Sequence, residues 1–264
     1  MYNGCAFAGK GGMIMNTYDL MIKTNHHLIR GGELTEAQKA NIAQQFLATR
    51  VEVGSVPGFY DGDKFHYKPA YFIPPQKKLK TIIPMGAQTE QVSNNAYELE
   101  IIRLLYKFKP NDDVAQMIEF TKERLKKNCF GYKDCFYCEC FHASIVVQRF
   151  ISSVSPADTK WISKQISGYN KHFNDRRWHG GVQWYYWLSL SDMPYDIAEP
   201  EIQQQKEKII EQLNRTYPVK NENDDIPLYA MRNALARLPE FSYIKNRKPF
   251  MDEKTGRLKF DVGA

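Results

Sequence analysis

The chain has 264 residues, 43% hydrophobic and 25% charged, which is enough for one large domain or two small ones around a sizeable core. It contains no run of the ~18 apolar residues that a membrane-spanning helix needs, and its first residues lack the pattern of a signal peptide. A cytoplasmic protein without a membrane partner is therefore expected, with its cysteines held as thiols or metal ligands. The formal charge of +6 comes in short groups: Lys77, Lys78 and Lys80; Lys122, Arg124, Lys126 and Lys127; Arg176 and Arg177; Lys245, Arg247 and Lys248. Groups of this size more often form a solvated face than a nucleic-acid surface.

Residues 1–14, MYNGCAFAGKGGMI, carry no periodicity and are expected to be disordered. Their Lys-Gly-Gly is what an in-frame ribosome-binding sequence encodes. The expected translation start is accordingly Met13 or Met15, with Cys5 outside the natural chain. Residues 15–50 read as a helical hairpin. Tyr18, Met21, Ile22, Leu28 and Ile29 share a face, Gly31-Gly32 ends the first helix, and Thr35 to Gln38 form a capping box for the second. His26 and His27 are adjacent, so on a helix they diverge and make no joint metal site. Residues 51–93 differ in kind. Pro57, Pro69, Pro74, Pro75 and Pro84 deny the segment helix interiors. Phe65–Ile73 and Leu79–Ile83 are expected as short extended pieces of an ordered arm, the place where any strand would lie.

From 94 to 240 the helical pattern returns in pairs. Tyr97 to Phe108 and Val114 to Leu125 mark one pair, Phe141 to Ile151 and Ile162 to Phe173 the next. Val182 to Leu190, Ile202 to Leu213 and Leu228 to Leu238 follow. Pro110, Pro156, Pro194 and Pro239 fall at the connections, 46, 38 and 45 residues apart. The fold expected is mostly α: antiparallel helical hairpins stacked as an α-α repeat or a partial α/α toroid, with a short extended Pro-rich arm. In layout the 94–240 body resembles HEAT-like and other α-α repeat proteins, and also the α/α-barrel enzymes. The resemblance is one of helix spacing and carries no residue roles with it. Residues 241–264 form a charged tail expected to lie extended over the last helices.

Two stretches could carry chemistry. In CFGYKDCFYCECFH, Cys129, Cys135, Cys138 and Cys140 are followed by His142. Cys135 and Cys138 have the spacing of a zinc knuckle, which Cys129, Cys140 or His142 would complete. The plainer alternative packs these thiols as small apolar residues at a helix start, with no cofactor at all. Cys140 near a helix N-terminus would have a favoured thiolate, with His179 as a partner from another hairpin. The second stretch, DRRWHGGVQWYYW, sets Arg176, Arg177 and His179 beside Trp178, Trp184 and Tyr185, a grouping able to hold planar ligands. Consecutive aromatics on a helix point all round, so at least half of them must be core. Asp112-Asp113 and Asp224-Asp225 read as helix-start acids, and no phosphate loop, nucleophile elbow or His-Glu-x-x-His motif occurs.

Two functions fit these features. The first is a helical scaffold that binds a protein, peptide or small ligand in an aromatic and basic groove. The second is an enzyme whose hairpins enclose a pocket lined by His179, Cys140, Glu139 and Arg149.

Overall fold

The computed structural model describes residues 16–59, 68–75, 79–85, 90–128, 138–169, 178 and 180–263. The expected start at Met13 or Met15, and Cys5 with it, lie outside them. Helix α1, Thr17–Ile29, opens at Asn16, whose side chain accepts the Asp19 N–H. It ends at Gly31, whose φ of 88° is the left-handed geometry glycine tolerates. Helix α2, Glu36–Leu47, opens on the capping box read from the sequence, with Thr35 and Gln38 bonding each other's backbone. Helices α3, Glu90–Phe108, and α4, Asp112–Lys127, follow, and Asn111 caps α4 by accepting the Val114 N–H. Then come α5, Cys138–Val154, a short 3-10 turn at Pro156–Asp158, α6, Thr159–Tyr169, and α7, Gly180–Asp192. The last long helices are α8, Tyr195–Leu213, and α9, Ile226–Leu235.

The helices are held together across their odd-numbered members. Helix α3 packs on α5, α5 on α7, α7 on α9, α9 on α1, and α1 on α3. Local contacts fix their sense. Tyr18 faces Tyr97 near the starts of α1 and α3, and Asn25 meets Arg103 further along both. Phe141 meets Trp178 before α7 begins, while Arg149 reaches Asp192 at its end. Arg237, just past α9, donates to the Ser191 carbonyl near the end of α7. His26 meets Asn223 ahead of α9, and Asn233 meets Ile29 further along both chains. These five helices thus run in one direction. The even-numbered ones lie against them: α2 on α3, α4 on α3 and α5, α6 on α5, and α8 on α7 and α9. The first hairpin, set apart in sequence by the arm, is thereby packed on both α3 and α9.

The arm forms no strand among its described residues, contrary to the sequence expectation. Its backbone donors go elsewhere. Glu98 Oε2 accepts the N–H groups of Ala70, Tyr71 and Phe72 at 2.7, 2.7 and 3.0 Å. Tyr18 exchanges two hydrogen bonds with the Lys80 backbone, and His26 Nε2 donates to the Ile82 carbonyl at 2.7 Å. Tyr71, Phe72, Leu79, Ile82, Ile83 and Met85 are all buried. At its far end the arm presses on the first turn of α7, where a Cβ on Gly181 would stand 1.8 Å from the Pro84 carbonyl oxygen. Paired strands occur instead in the tail. There β1, Phe250–Asp252, runs antiparallel to β2, Arg257–Lys259, around a turn that uses Gly256 at φ 63°. Leu258 at the middle of β2 is buried and bridges Tyr217, tying the tail to the chain after α8.

Candidate functional site

Of the residues singled out from sequence, Cys129, Cys135, Arg176, Arg177 and His179 lie outside the described residues. Cys138 and Glu139 open α5, and Cys140 is partly buried against the core. Among the described residues no group of three His, Cys, Asp or Glu side chains is placed to hold a metal. The zinc knuckle itself, Cys135 with Cys138, falls outside the residues whose side chains are described.

The aromatic run turns inward. Trp178 and Tyr185 are buried and Trp184 is half-buried, with its ring edge-on to Tyr217 at 6.1 Å. Phe141 stands 5.3 Å from Trp178 and 5.6 Å from Tyr169, and Tyr186 lies 5.0 Å from Trp178. Three polar tips, those of Tyr169, Tyr186 and Trp187, are used within the core. Tyr169 Oη is 2.6 Å from Ser144 Oγ, Tyr186 Oη donates to Glu201 at 3.0 Å, and Trp187 Nε1 donates to Gln205 at 2.8 Å. Edge-on and tilted rings of this kind add stability beyond the area they bury. Helix α7 is buried on nearly every side because α5, α8, α9 and the arm all pack on it.

Arg149 lies at the centre of the molecule rather than in an open pocket. Its Nη1 donates to Glu100 Oε1, and its Nε to Asp192 Oδ2 at 2.8 Å. Glu100 also accepts from Tyr185 Oη at 2.8 Å and Arg103 Nε at 2.9 Å, and Arg103 Nη2 reaches Asn25 Oδ1. The network links α1, α3, α5 and α7 and balances two cations with two carboxylates. Burial alone would raise the Glu100 carboxyl, but Arg149 and Arg103, with the hydrogen bonds from Arg149 and Tyr185, hold it down at about 2. Burial opposes the charge on Arg149 too, yet Glu100 and Asp192 raise its proton affinity above the ordinary range. Tyr185 is pushed up, by burial first and by Glu100 next. A charge-balanced arrangement whose members already bond one another leaves no free acid, base or nucleophile.

A cleft of about 610 Å³ lies on the outside, between α6 and α8. One wall is the stripe Lys160, Ser163, Lys164 and Ser167, which the i, i+3, i+4, i+7 spacing puts on one face of α6. The other is Asp196, Ile197, Pro200 and Glu201 on α8, and the buried Ile166 lies beneath the floor. Pro200 sits inside α8. Having no N–H, it leaves the Asp196 carbonyl without its intrahelical donor, a defect that costs about 3 kcal/mol in an ordinary helix interior. Lys160, Lys164 and Asp196 make no ion pair among the described residues, although α6 and α8 touch.

Sequence reasoning passed over Glu98, Glu100, Arg103 and Asp192. The signal for three of them was present: YELEIIRLL sets ionisable residues within a run of apolar ones, and a charge on a buried face needs a partner. The cleft had a signal too, in the polar stripe of α6 and the proline five residues into α8. The chain matches no protein-family model, no curated protein and no solved structure.

Proposed function

We propose that the protein is a helical binding module whose hairpins close as an α/α ring and whose partner is held on the outside, in the cleft between α6 and α8. The ring reading is supported by the succession α1, α3, α5, α7, α9 and back to α1, all in one direction. The observation that carries the binding reading is the filled middle. Arg149, Glu100, Arg103 and Tyr185 occupy the space where the inner helices face one another, and every charge there is spent on a neighbour. Recognition is thereby displaced to the outer layer, where the cleft offers charges that pair with no described residue. Its volume lies within the ~300–1,000 Å³ typical of ligand sites.

Charge reversal tests this. Lys160→Glu with Lys164→Glu changes exposed positions only, so the variant folds. A partner captured by the wild-type chain should be lost by the reversed chain. Equal retention by both refutes the placement. The enzyme reading is favoured by a different observation. The longer connections, 48–89, 128–137, 170–179 and 214–225, all lead into the starts of odd-numbered helices, and Cys140 and Trp178 stand at that same end. It requires an activity that Cys140→Ser or His179→Ala abolishes without change in the circular dichroism spectrum or melting temperature.

A further inference from the structure

The walls of the α6/α8 cleft carry opposite charges that do not meet. Lys160 and Lys164 stand on α6 and Asp196 on α8, and none is paired with a described residue. Glu201, deeper on the α8 wall, accepts the Tyr186 hydroxyl and is buried. Among the described residues the mouth of that wall therefore presents the Asp196 carboxylate. The facing wall presents donors, two ammonium groups and the hydroxyl of Ser163, while the Ser167 hydroxyl donates to the Lys164 carbonyl at 2.9 Å. A simple anion would meet the lysines but be repelled by Asp196. A simple cation would meet Asp196 but be repelled by the lysines. A ligand with a charge of each sign at its two ends satisfies both walls.

Resting on the reading of this cleft as the recognition site, we infer that it takes an amphoteric ligand of the amino-acid and short-peptide class. The carboxylate lies against Lys160, Ser163 and Lys164. The ammonium group lies against the Asp196 carboxylate. Ile197, half-buried on the α8 wall, contacts an apolar side chain of the ligand. The about 610 Å³ of the cleft accommodates a ligand of two or three residues.

The test uses the full chain and the tripeptide Ala-Leu-Ala in four forms: free, N-acetylated, C-amidated and doubly capped. Binding is followed by amide chemical shifts and titration calorimetry. The free peptide should shift resonances of α6 and the first turns of α8, and either cap should weaken binding at least tenfold. In Lys160→Gln/Lys164→Gln the penalty for amidation should vanish while that for acetylation remains. In Asp196→Asn the reverse should hold. Equal binding of free and doubly capped peptide, or no shift at the cleft at millimolar free peptide, overturns the amphoteric class. If that happens while charge reversal at Lys160 and Lys164 still releases the captured partner, the cleft remains a recognition site for another chemistry. If capture is also unaffected, both readings fall together.

Discussion

Replacing Arg149 with methionine probes the centre of the molecule directly. The side chain is buried, so methionine refills most of the volume, and the loss is electrostatic. Glu100 is left with Arg103 and Tyr185, and Asp192 loses the Nε donor. Breaking one partner out of a buried ion pair costs about 3–5 kcal/mol, and the bonds that Glu100 keeps place the expected loss at the lower end, about 3 kcal/mol. For a chain of roughly this size that lowers the melting temperature by about 6–12 °C. A second estimate comes from linkage. Glu100 is held at about 2 against an ordinary 4.5, equivalent to about 3 kcal/mol. Its folded value lies below the unfolded one, so this stabilisation is full above about pH 4.5 and is lost as the pH falls toward 2. Urea unfolding of both proteins at pH 7, 5, 4 and 3 separates the contributions. Arg149→Met should be less stable at pH 7, and the gap to wild type should narrow on the acid side as Glu100 takes up its proton. A difference under about 1 kcal/mol at pH 7, or a gap constant across the series, refutes the claim that this network holds the helices together.

Three further outcomes are expected. Gly181→Ala should lift residues 79–85 off α7, read as faster hydrogen exchange there, whereas Gly180→Ala has open space around its Cβ and should leave that exchange unchanged despite its φ of 43°. Leu188→Ala, on the most enclosed helix, should lose about 2–5 kcal/mol of stability, and a loss below about 0.5 kcal/mol would show that α7 is not central. Burial lowers the His26 proton affinity more than its contacts with Ile82 and Asn223 raise it. The unfolded chain therefore takes up this proton at a higher pH than the folded one. Stability should decline as the pH falls below about 6.5, and His26→Gln should flatten that limb of the stability curve.

Local rules were legible wherever their partners lie close in sequence. The Thr35 capping box, the Gly31 stop and the acids opening α4 each concern a few neighbouring residues, and each is found where the pattern puts it. Helix α7 was legible as core but not as to direction, because its residues are apolar on all sides and single out no face. The partner of the proline-rich arm was not legible, because the backbone donors of Ala70, Tyr71 and Phe72 go to Glu98, on a helix more than twenty residues away. The tail ribbon was masked by its charge. FMD and RLK alternate around a Gly-containing turn, but six basic residues read as a solvated extension. The pairings of the Arg149 network were not legible because the partners lie far apart: Arg149 to Glu100 spans 49 positions and Tyr185 to Glu100 spans 85.

The seam between α1 and α9 bears on how the chain is made. Arg30 clasps Asp225 through two hydrogen bonds of 2.9 and 2.7 Å, and Asn233 holds the Ile29 carbonyl at 2.8 Å. These bonds join residues 195 and 204 positions apart. On the ribosome the first hairpin emerges with one flank bare and waits for almost the whole remaining polypeptide before its neighbour exists. Contacts of such long range slow folding and lengthen the time for which apolar surface is exposed. A nascent chain stalled before residue 226 should be a client of chaperones, and release of α9 should be the event that locks the hairpin of α1 and α2 in place.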